Sequence, residues 1–123
     1  MNILMIGAGG FFGAILRYLV SGWAHRMAGT SFPYGTLTVN VLGSFLLGFF
    51  FIIAQERFMI SPQIRSFIAI GLLGAFTTYS TYSFESIMLL KEAMYILATL
   101  NITLNLVLGL FAVWLGMTLA RFV

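Results

Sequence analysis

No cysteine occurs in this sequence, so neither a disulfide nor a thiolate metal site is available to it. Charge is nearly as scarce. Only 7% of the residues are charged, against roughly a quarter in soluble globular domains. Three are acidic, and the single histidine, His25, has no acidic or thiol companion nearby; it reads as a solvated loop residue and not as a metal ligand. No nucleophile–base pair or metal cluster is evident, and Gly7-x-Gly9 opens an apolar run instead of following a strand, so no phosphate loop is present either. An enzyme is the least supported class. The six basic residues, Arg17, Arg26, Arg57, Arg65, Lys91 and Arg121, are scattered singly. The net charge of +3 is therefore no nucleic-acid signature, and most of these side chains sit where membrane anchors sit, at the ends of apolar segments. The first segment lacks the basic n-region and small-residue cleavage site of a signal peptide and is expected to remain as a membrane helix.

What the chain has in abundance is apolar surface: 61% hydrophobic residues, with a mean hydropathy of +1.06. Four apolar segments, 3–22, 35–54, 67–90 and 93–122, each approach or exceed the roughly 20 residues needed to cross a bilayer. The expected fold class is an all-α membrane protein, one four-span domain over residues 1–123. Loops are expected at 23–34 and 55–66, with a very short connection at Lys91 and Glu92.

The third segment breaks the pattern. Every residue from Thr77 to Ser83 carries a hydroxyl, inside a stretch that is otherwise apolar. An uncovered polar group in hydrocarbon costs several kcal/mol, so such a run must face protein, water or a ligand. Gly71 and Gly74, with hydroxyls able to bond back onto the main chain, favour opening the helix here. The third helix is therefore expected to be broken, with its polar backbone turned inward. Carbonyls exposed near Gly74 and Thr77 would suit a hard cation such as sodium. Tyr79 and Tyr82, three apart, would offer a small anion a hydroxyl donor or an electropositive ring edge, or would fill a dimer core.

Other polar residues lie where lipid is expected. Thr36, Asn40 and Ser44 recur every four residues and share a helical stripe, and Asn101 and Asn105 share another. Interhelical hydrogen bonding and pore lining both remain open for Asn40, Ser44, Asn101 and Asn105. Arg17 lies about one turn inside the membrane boundary, where it either snorkels or faces a water-filled vestibule. Gly9 and Gly13 have the spacing that lets helices approach closely.

Four spans place Arg57, Arg65 and Arg121 on one side, and Arg26 and Lys91, with Arg17 near that end, on the other. The basic excess that sets orientation is almost absent. The chain is thus expected to insert both ways and to pair as an inverted homodimer, the second copy supplying the repeat that other transporters carry internally.

Three motifs together carry a resemblance. Gly10-x-x-Gly13-Ala14-x-x-Arg17-Tyr18, Gly35-Thr36-Leu37-x-Val39-Asn40-x-x-Gly43-Ser44 and Thr77-Thr78-Tyr79-Ser80-Thr81-Tyr82-Ser83 stand in order, followed by a similar ending from Gly109 to Gly116. The chain resembles the Fluc-type bacterial fluoride channels, also called CrcB proteins, over nearly its whole length. The resemblance implies a passive fluoride-exporting channel in the bacterial inner membrane, an antiparallel homodimer with two narrow pores and a central sodium ion. Carbonyls of Gly74 and Thr77 from both copies would hold the sodium. Asn40, with Ser80 and Thr81, would line the ion path, and Arg17 would stand near its mouth. The family usually has phenylalanine where this chain has Tyr79 and Tyr82, and tyrosine or serine near Asn101 and Asn105. A small multidrug-type exporter, also four-span and inverted, is the alternative. Such a pump needs a buried acid, usually in its first span, and segment 3–22 has none.

Overall fold

The computed structural model describes residues 2–123. Among them every regular element is helical: α1 (Asn2–Ala28), α2 (Tyr34–Ile52), α3 (Pro62–Arg65), α4 (Gly74–Phe76), α5 (Tyr79–Lys91) and α6 (Tyr95–Ala120). Wider π-helical turns extend α2 over Ile53–Arg57 and join α3 to α4 over Ser66–Leu73. Three helices are long and apolar enough to cross a membrane, Asn2–Ala28, Tyr34–Arg57 and Tyr95–Ala120. The remaining helical stretch, from Pro62 to Lys91, is interrupted at Thr77 and Thr78, both extended.

The first helix outruns its expected end by six residues. Trp23 and His25, expected in a loop, lie within α1, because nothing before Gly29 breaks the helix. Gly29 takes a left-handed φ of 98° that glycine accommodates without a Cβ clash, and its N–H donates to the His25 carbonyl at 2.8 Å. The second loop shrinks likewise to four residues, 58–61. Ser61 caps α3, its hydroxyl accepting from the Ile64 N–H at 3.3 Å, with Pro62 in the first turn.

Glycines set which helices touch. A Cβ on Gly9, Gly13 or Gly71 would collide with backbone across the crossing of α1 with the segment from Phe67 to Leu72. Gly48 meets Val113, and Gly116 meets Phe45, where α2 crosses α6. With no lipid-excluding force to drive association, close backbone approach maximises dispersion contact between these helices. The pairings also give direction. Asn40 lies beside Asn105 and Gly48 beside Val113, so α2 and α6 run parallel. Residues 9 and 13 face 67–75 in the same sense, so α1 and the interrupted stretch are parallel as well. At one end Glu56 sits 3.7 Å from Arg121, and Arg57 donates to the Arg121 carbonyl.

Candidate functional site

Where the interrupted helix stops, its last N–H groups find new partners. A continuous helix would direct the Thr78 N–H to the Gly74 carbonyl and the Thr81 N–H to the Thr77 carbonyl. Instead Thr78 N–H donates to Asn40 Oδ1 at 2.8 Å, and Thr81 N–H donates to Thr78 Oγ1 at 3.2 Å, which makes Thr78 the N-cap of α5. The carbonyls of Gly74 and Thr77 thus lose their helical donors. Thr77 also bonds back onto the Leu73 carbonyl through its hydroxyl at 3.2 Å.

Asn40 completes the arrangement from α2. Its Nδ2 donates to the Thr78 carbonyl at 3.0 Å and to Asn105 Oδ1 at 2.9 Å. Because a backbone N–H only donates and a carbonyl only accepts, Thr78 fixes which way the Asn40 amide points. That polarity propagates. Asn105 Nδ2 donates to the Asn101 carbonyl at 2.8 Å and to Asn101 Oδ1 at 3.0 Å. Asn101 Nδ2 then donates to Ser86 Oγ at 2.9 Å, and the Ser86 hydroxyl donates to the Tyr82 carbonyl at 2.8 Å. One oriented chain of hydrogen bonds therefore ties α2, α6 and α5 together. Asn101 and Ser86 within it are buried.

Two cavities flank the break, and Thr78 lines both. The first, about 380 Å³, brings together Gly74 and Thr77 with Tyr79, Tyr82, Asn40, Ser44 and Asn105. The rings of Tyr79 and Tyr82 lie 5.7 Å apart at 57°, on the shared side their spacing implied. The second, about 400 Å³, is lined by Arg17 and Thr81, with Ser21, His25 and Thr36. Along α2 the second cavity touches Thr36 and Val39, and the first begins at Asn40, so the break separates two open cavities, largely apolar with a few polar side chains, in sequence along the bundle.

Residues 4–117 match the family described as CrcB-like protein, Camphor Resistance (CrcB). A protein of Shewanella baltica (strain OS185) is 51% identical over 118 residues, covering 96% of this chain and 94% of its own. Relatives in Shewanella frigidimarina (strain NCIMB 400) and Shewanella sp. (strain ANA-3) are 50% and 48% identical over the same shares. Each of these relatives carries the name fluoride-specific ion channel FluC. The chain belongs to the CrcB family. With its apolar helices, this makes it a multi-pass inner-membrane protein.

Of the residues singled out from the sequence, seven meet in the first cavity and two, Arg17 and Thr81, in the second. Ser80 is exposed and lines neither, and Asn101 is wholly buried behind Asn105. His25, expected to be solvated, is half-buried in the last turn of α1 with Nδ1 3.2 Å from the Gly29 carbonyl oxygen. Two contributors went unrecognised. Thr78 lines both cavities, and the preference of threonine for the N-cap position after a helix break is the signal that could have marked it. Ser86 closes the hydrogen-bond chain, and only its fourfold spacing from Tyr82 hinted at a bond back to that carbonyl.

Proposed function

We propose that this CrcB-family chain forms a passive, fluoride-selective channel that releases fluoride from the cytoplasm, working as an antiparallel homodimer with two pores. The observation that carries the reading is the extended Thr77–Thr78 break, set between two open cavities into which an otherwise apolar bundle gathers its polar side chains. The relatives' name, fluoride-specific ion channel, supports fluoride as the ion.

The anion is met by donors. Tyr79 and Tyr82 line the first cavity with Asn40, and each carries a hydroxyl donor and an electropositive ring edge of the kind that suits an anion. Arg17 holds a positive charge in the second cavity with the Thr81 hydroxyl, which favours entry of an anion over a cation. Ser80 stands exposed outside both cavities, on the open side that a second copy would cover. Neither cavity is lined by an acidic residue among those described. The first span, where a small multidrug-type exporter usually carries its coupling acid, has none, which favours passive flow over proton coupling.

One chain does not enclose this path. Tyr79 is 79% exposed, and Ser80 and Thr81 also stand open on a protein whose surroundings are lipid. Polar groups facing hydrocarbon are costly, so a second copy is the natural cover, and the near-even basic residues of the two sides allow it to insert upside down. The third span is then a broken membrane helix whose interruption lies near the dimer axis. The carbonyls of Gly74 and Thr77, relieved of their helical donors, fit a sodium ion, since a hard cation takes neutral oxygen ligands. Bound there, sodium supplies a fixed positive charge at the centre of the dimer. Fluoride release from liposomes holding the purified protein, against liposomes loaded with chloride alone, tests the reading.

A further inference from the structure

Both hydrogens of the Asn40 amide are engaged, one by the Thr78 carbonyl at 3.0 Å and one by Asn105 Oδ1 at 2.9 Å. An anion that binds this amide must therefore displace one of them. The two acceptors are not equivalent. Thr78 grips Asn40 at two points, since its N–H also donates to Asn40 Oδ1 at 2.8 Å, and leaving it would break a reciprocal pair. Asn105 accepts a single bond. Asn105 is also held independently of Asn40, because its own Nδ2 donates to the Asn101 carbonyl and to Asn101 Oδ1. Losing the Asn40 N–H would leave Asn105 in place, ready to accept again. The junction of the two amides lines the first cavity, within the space shared with Tyr82 and Ser44.

We propose that the Asn105 side-chain carbonyl is a built-in competitor for the permeant anion: it occupies the Asn40 N–H that fluoride takes on binding and reclaims it as the ion leaves. This rests on the fluoride-channel reading. A donor already satisfied by protein gives the ion only the difference between two hydrogen bonds, whereas an orphaned donor in a partly buried site gives it the whole bond. Conduction needs a hold weak enough to release, and Asn105 sets that hold. It acts through Asn40, as a positioning residue on the rate of release.

The test is the concentration dependence of fluoride flux in liposomes for wild type and Asn105→Leu, which removes the acceptor at similar volume. The half-saturating fluoride concentration should fall roughly three- to tenfold, the factor for one neutral hydrogen bond, and the maximal rate should fall with it. A half-saturating concentration that stays or rises while the maximal rate falls would overturn the proposal and leave Asn105 a packing residue. A second measurement needs no variant. In wild-type protein labelled with ¹³C,¹⁵N-asparagine, fluoride, but not chloride, should shift the Asn40 Nδ2 and Asn105 Cγ resonances together; no fluoride-dependent shift at Asn105 would overturn the proposal. If the wild type releases no fluoride, the channel reading falls, and these spectra still decide whether fluoride displaces Asn105.

Discussion

The Asn40 side chain pairs with the Thr78 backbone on both edges, Oδ1 accepting the N–H at 2.8 Å and Nδ2 donating to the carbonyl at 3.0 Å. A side-chain amide on α2 thus does for one residue of the interrupted helix what a neighbouring strand would do, and it holds the interruption open. Replacing Asn40 by alanine removes three part-buried bonds, at about 1 kcal/mol each. Asn40→Ala should lower the unfolding free energy by about 2–3 kcal/mol and abolish fluoride flux even where the protein remains dimeric. Wild-type flux from a destabilised Asn40→Ala protein would show that Asn40 only glues helices.

Tyr79 and Tyr82 separate ring from hydroxyl. Hydrogen bonds to ions are worth roughly 1.5–3 kcal/mol, more than a ring-edge contact. Phenylalanine at either position should keep fluoride selectivity and raise flux if the hydroxyl holds the ion. Isoleucine removes both groups and should cut flux sharply. Equal flux from the Phe and Ile variants would take both rings off the path and leave Ser80 and Thr81 to define it.

Glycine substitutions in α1 should divide by contact. A Cβ on Gly7 meets nothing within 4 Å, whereas one on Gly9 or Gly13 runs into the backbone of the Phe67–Leu72 stretch. Gly7→Ala should be neutral or stabilising by up to about 1 kcal/mol through helix propensity. Gly9→Ala and Gly13→Ala should each cost about 1–3 kcal/mol or more, as overpacking does. Thermal unfolding in detergent checks the order, and similar midpoints for all three would contradict the crossing.

Ala93, between α5 and α6, has a φ of 60°, the left-handed region that an alanine Cβ disfavours. The bond from the Met94 N–H to the Leu89 carbonyl at 2.9 Å holds it there. Ala93→Gly should raise stability by roughly 1 kcal/mol without altering flux, since the strain per residue is about that size.

Dual insertion makes a further claim. Thr30 and Met59 lie in the two exposed connections flanking α2. On this cysteine-free chain, Thr30→Cys and Met59→Cys should each label from outside the cell in part of the population. One position labelling fully and the other not at all would mean a single orientation.

Much of this site was legible because lipid makes polarity conspicuous. The hydroxyl run 77–83 and the fourfold asparagines stand out against apolar neighbours, and the structure brings Asn40, Tyr79, Tyr82 and Asn105 to one cavity. The partner of each polar group was not legible. Periodicity places Asn40 on a stripe, but only the three-dimensional approach of α2 to Thr78 reveals that its amide is saturated by protein. Helix ends were misjudged for a related reason. Trp23 suits a membrane interface and His25 a solvated loop, yet neither residue stops a helix, and the chain keeps winding until Gly29.

The central claim is passive conduction of fluoride, and liposome efflux tests it most directly. Purified protein should release fluoride down its own concentration gradient, with charge balanced by an ionophore and no imposed proton or sodium gradient, while chloride-loaded liposomes keep their contents. Fluoride retained under those conditions, or released only when a proton or sodium gradient is applied, would contradict the account.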